Sequence, residues 1–68
     1  MNVLINGAAC DLPEGASVSD AVRAAGAPAD GRGVAVALEG SVVPRGSWDS
    51  TMVGEGQRVE VLQAVQGG

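Results

Sequence analysis

Apolar and polar positions along this chain follow two different periods, and each change of period marks an element. Residues 2–6, Asn-Val-Leu-Ile-Asn, form a short run rich in branched side chains that predicts a strand. Asn6-Gly7 ends it, since both residues tolerate positive φ and together favour a two-residue hairpin turn. A second strand is expected from Ala8 to Leu12, closed by Pro13-Glu14-Gly15. The period then changes. Val18, Ala21, Val22 and Ala25 fall at i, i+3, i+4 and i+7, one face of a helix. Ser17 and Asp20 are spaced as a capping box, with Asp in place of the usual Glu or Gln. Gly26 is placed to end the helix in a left-handed conformation, and Pro28 prevents its resumption.

Ala27 to Gly33 reads as a loop in which Asp30-Gly31, like Glu14-Gly15 earlier, is turn chemistry. Val34 to Leu38 alternates valine and leucine against alanine and predicts a third strand, with Val34, Val36 and Leu38 on one face. Glu39-Gly40 turns the chain into Ser41-Val42-Val43, and Pro44, which cannot donate to a ladder, stops that pairing. Ser47 to Ser50 suggests a short helical turn or irregular crossover. After a turn at residues 54–57, a final strand is expected from Arg58 to Val65, with Val59 and Val61 on one face and Leu62 and Ala64 on the other.

This order predicts one domain over residues 1–68, of α+β class, in which a mixed sheet of about five strands carries one main helix across it. A single helix covers one face of such a sheet. The apolar Leu62 and Ala64 on the other face are therefore expected to form part of a docking patch. The 46% of apolar residues are mostly Val and Ala, and Trp48 is the sole aromatic, so the core is thin and Trp48 belongs in it.

Composition narrows the chemistry. The chain has neither histidine nor lysine and only one cysteine, which removes the usual general base, the Schiff-base amine and any Cys/His metal cluster. Its carboxylates are scattered, with no close acidic pair. An enzyme acting through its own side chains is not expected, nor is a resident cofactor or metal. Four arginines against eight acids, net charge −4, leave no basic stripe for nucleic acid. No apolar stretch approaches the ~20 residues of a membrane span, and a lone cysteine gives no disulfide framework, so a cytoplasmic protein is expected. Cys10 lies in an apolar strand without a basic neighbour to activate it, and reads as packed and inert.

One feature remains. The final strand leads through Gln66 to Gly67-Gly68, where no further chain asks for a turn. Residues 65–68 read as an extended, flexible tail. Lacking Cβ atoms, its glycines would let it enter a narrow channel in another protein. Its carboxyl group, with an ordinary pKa of about 3.3–3.7, is ionised at neutral pH without a local base. Gly68 is thus the candidate reactive residue, and Gly67, Gln66 and Val65 would guide it.

Val34-Ala35-Val36, Val42-Val43-Pro44-Arg45 followed by Trp48, Arg58-Val59-Glu60-Val61 and the ending Val65-Gln66-Gly67-Gly68 resemble the ThiS-type sulfur carriers of thiamine biosynthesis, along the whole chain. Two turns depart from that pattern. Glu39-Gly40 has Glu where the family often has Asn, and Gly56-Gln57 stands where Gly-Asp is usual. The resemblance implies a ubiquitin-like β-grasp fold and a carrier rather than an enzyme. It implies that a ThiF-like adenylyltransferase, using its own ATP and Mg, adenylates the Gly68 carboxylate. A persulfide donor would convert this to a thiocarboxylate, and a ThiG-like thiazole synthase would take the sulfur. Two alternatives share the tail: the small sulfur-carrying subunit of molybdopterin synthase, and a ubiquitin-like protein modifier.

Overall fold

A computed structural model of the chain describes residues 1–28 and 30–64. Its elements are β1 (Asn2–Ile5), β2 (Ala8–Asp11), α1 (Val18–Ala24), β3 (Val34–Leu38), β4 (Ser41–Val43), a 3₁₀ turn (Arg45–Ser47) and β5 (Arg58–Gln63). Two antiparallel hairpins, β1–β2 and β3–β4, form from adjacent sequence. Their loops hold Asn6-Gly7 and Glu39-Gly40, with φ of 52° and 83° in the first and 49° and 83° in the second. Both are the mirror-image turns whose twist matches that of paired strands. Asn6 therefore belongs to the turn rather than to the strand expected over residues 2–6.

The hairpins do not touch edge to edge. β5 lies between them in the order β2-β1-β5-β3-β4, parallel to β1 and antiparallel to β3. Val3 and Ile5 of β1, Val36 of β3, and Val59 and Val61 of β5 bury the same sheet face. Val18, Ala21 and Val22 of α1 close over it, while Leu12, Ala16, Trp48 and Val53 seal its rim. At about 25 cal/mol per Å² of apolar area removed from water, such small side chains each contribute little, so the core depends on many close contacts.

The capping box forms as expected. The Asp20 N–H donates to Ser17 Oγ (3.3 Å), and the Ser17 N–H donates to Asp20 Oδ2 (2.8 Å). That backbone donor holds the Asp20 carboxyl below its ordinary range; Arg23 and the Ser17 hydroxyl act in the same sense, and partial burial opposes them. At the other end the Gly26 N–H donates to Arg23 O and the Ala27 N–H to Val22 O, with Gly26 at φ 78°. This is the Schellman arrangement. Ala25, expected on the buried face, is instead the exposed C-cap, because the chain is already turning away toward Gly26.

The crossover starts earlier than expected. Pro44 sets φ at −60°, and a 3₁₀ turn begins at Arg45, before the turn over residues 48–50. It delivers Trp48 into the core, 6% exposed, with its indole N–H donating to Val43 O (2.9 Å). Gly31 does more than turn the chain. At φ 71° its backbone packs so closely that a Cβ there would lie 2.7 Å from the Trp48 ring.

Candidate functional site

The C-terminal half of β5 is held differently on its two sides. Toward β3 it keeps a backbone ladder: Val34 pairs with Gln63, and the Ala64 N–H donates to Gly33 O (2.7 Å). Toward β1 the backbone ladder ends sooner, with the Leu4 N–H on Gln57 O and the Asn6 N–H on Val59 O, each at 2.9 Å. Beyond that point the Asn6 side chain takes over. Its Oδ1 accepts the Val61 N–H (2.8 Å) and its Nδ2 donates to Val61 O (3.1 Å).

The sheet face away from α1 carries an exposed apolar group at the same end. Leu62 is 64% exposed and pairs with Ala35; on the neighbouring register, Ala37 pairs with Val42, which is 78% exposed. With Glu60 they line a shallow hollow of about 90 Å³. Leu62 therefore sits on the uncovered face, as expected, and Ala64 is exposed beside it at the end of the described chain. Val42, Ala35 and Ala37 were not among the expected patch residues. The alternation along β3 and β4 was the signal for them, once the strand order is known.

Val65, Gln66, Gly67 and Gly68, and with them the expected tail, lie outside the described residues. Cys10 pairs with Val3 across the first hairpin and packs partly buried against the core. Arg45 is exposed, with its aliphatic stem against Gly31. Among the described residues no cluster of His, Cys, Asp or Glu is spaced to hold a metal, and no helix is long and apolar enough to cross a membrane.

Comparison with known proteins agrees with this arrangement. A family model described as the ThiS family matches residues 3–68. The crystal structure of the thiamine biosynthesis protein ThiS from Geobacter metallireducens is similar over 100% of both chains, at 33% identity and a TM-score of 0.77. The solution NMR structure of a thiamine biosynthesis protein from the same organism gives 33% identity and a TM-score of 0.80, over 100% of this chain and 88% of that one. Among curated proteins nothing matches. The mixed five-stranded sheet with one helix is thus the ubiquitin-like β-grasp fold of these neighbours.

Proposed function

The chain belongs to the ThiS family, and on that premise we propose that it is a sulfur carrier for thiamine biosynthesis whose working group is the Gly68 carboxylate. The observation that carries this reading is the span of the family match, which runs through Gly67-Gly68 to the last residue. In the proposed sequence the carboxylate attacks the α-phosphate of ATP in a ThiF-type adenylyltransferase, giving an acyl-adenylate and pyrophosphate. The mixed anhydride has a leaving group, AMP, that the free acid lacks. The terminal sulfur of a donor persulfide then displaces AMP to give an acyl disulfide. A thiol cleaves its S–S bond, leaving the thiocarboxylate on Gly68 and a disulfide between that thiol and the donor. A ThiG-type synthase consumes the thiocarboxylate in building the thiazole ring.

This division of labour accords with the composition. ATP, Mg and the basic groups that steady phosphates belong to the partner, while this chain is a cosubstrate of the cytoplasm. The body's part is docking. The exposed Leu62 and Val42, with Ala35 and Ala37 between them, lie at the root of the C-terminal segment, so a partner seated there has residues 65–68 within reach of its active site. In this reading Gly67, Gln66 and Val65 guide the carboxylate into the partner's channel, and Ala64 extends the docking surface.

The test is mass spectrometry of the intact chain after incubation with the ThiF-type enzyme, ATP, Mg, a persulfide donor and a thiol reductant. Exchange of one oxygen for sulfur at the C-terminus is the expected result. An unchanged mass with a competent partner refutes the carrier reading. Adding the ThiG-type synthase with its small-molecule substrates should then yield a thiazole.

A further inference from the structure

Asn6 and Glu39 hold the same position in two hairpin turns, at φ 52° and 49°, and each sends its side chain to β5. Glu39 binds the start of the strand: its Oε2 accepts the Arg58 N–H (2.6 Å), beside its own N–H on Arg58 O (2.9 Å). Asn6 binds near the end, taking both backbone groups of Val61. The central strand is pinned at each end by a side chain, but only the Asn6 end leads on to Gly68.

We infer that Asn6 is a positioning residue for the C-terminal carboxylate, its side-chain amide replacing the backbone that β1 no longer supplies and so fixing where the chain leaves the sheet. Its chemistry is specific. A carboxamide carries an acceptor oxygen beside a donor NH2, complementary to the N–H and C=O of one residue's backbone. Asp would accept the left-handed turn but lacks the donor, and Gly would accept it but lacks both. Without the amide, the end of β5 is held only from the β3 side, and residues from Val61 onward gain freedom that must be lost again inside a partner. Re-ordering one residue costs about five- to thirtyfold in rate.

The inference rests on the carrier reading, and one experiment separates them. Adenylation of wild type, Asn6→Gly and Glu39→Gly by the ThiF-type enzyme is followed by pyrophosphate release, well below each protein's Tm. Both variants keep the turn, and each loses one pin. We expect Asn6→Gly to lower kcat about tenfold, more than it changes KM, while Glu39→Gly stays within about twofold of wild type. Amide exchange at Val61 should quicken in Asn6→Gly alone. Equal rates for Asn6→Gly and wild type, or equal losses in both variants, overturn the positioning role and leave the carrier reading intact. A wild-type chain that is not adenylated at all defeats the carrier reading, and the positioning role with it. Should Asn6→Gly fail to fold, Asn6→Asp, which keeps the turn and the acceptor, is judged by the same comparison.

Discussion

Gly31 lies against the ring of Trp48, with a Cβ at that position only 2.7 Å from ring atom Cζ3 and 3.0 Å from Cη2. The ring has little room to retreat, because it is buried in the core and its indole N–H is bonded to Val43 O. Two penalties meet at this glycine: the steric clash and the left-handed backbone at φ 71°.

Gly31→Ala should therefore destabilise the fold by about 2–3 kcal/mol, combining an overpacking and a backbone cost. For a domain of this size that lowers Tm by roughly 10 °C or more. Trp48 is the only aromatic residue, so its fluorescence follows the transition without a label. A variant melting at the wild-type temperature would show that the contact is loose.

The capping box makes stability depend on pH in a definite direction. Asp20 has a lower pKa folded than unfolded, where it is about 3.9. Its contribution is present above the unfolded value and is lost as pH falls through the folded one. Asp20→Asn should cost about 1 kcal/mol at neutral pH. The gap from wild type should begin to narrow as pH drops below about 3.9, where unfolded Asp20 protonates. It should reach its minimum below the lower folded value, where Asp20 is neutral in both states. Urea unfolding of both proteins across this range measures the convergence; a gap of constant size would refute it.

Leu62→Glu should weaken binding to the adenylating partner at least about tenfold, by placing a charge in the apolar hollow. Because Leu62 is largely exposed, Tm should move by only a few degrees. Met52→Glu is the control. Met52 is 59% exposed, but it pairs with Ser17 at the start of α1, away from the hollow. Calorimetric titration of both variants should show a loss for Leu62→Glu alone.

Cys10→Ser should leave thiocarboxylate formation unchanged. Cys10 pairs with Val3 in the first hairpin and packs partly buried against the core. Intact-mass measurement after sulfur loading decides the point. Loss of loading in a folded variant would make Cys10 a relay thiol instead.

Local chemistry was the most legible layer of the sequence. Asn-Gly turned where positive φ was needed, Ser17 and Asp20 capped α1, and valine alternation marked the sheet faces. Each of these signals depends on neighbours a few residues apart. The misplacements occurred where distant residues decide. Ala25 has the right spacing for a buried face, but Gly26 turns the chain before it can be used. Asp30-Gly31 reads as a turn, and only the arrival of Trp48 makes the missing Cβ essential. Asn6 was legible as a turn residue and not as a partner of Val61, 55 positions later. Leu62 stood out as apolar on an uncovered face, whereas its companions Ala35, Ala37 and Val42 became a patch only through the strand order.

That order also governs how the molecule comes together. β5 is the one strand that both hairpins touch, and it is the last in sequence. Until residues 58–63 dock, the hairpins share no ladder. With β5 pairing to strands remote in sequence on both sides, folding should be slower than for a helical bundle of equal length. A chain shortened before Arg58 should lose the ladder that joins the hairpins, keeping between its halves only such links as the backbone bonds of residues 16–19 with residues 48–53, and should be cut faster by proteases.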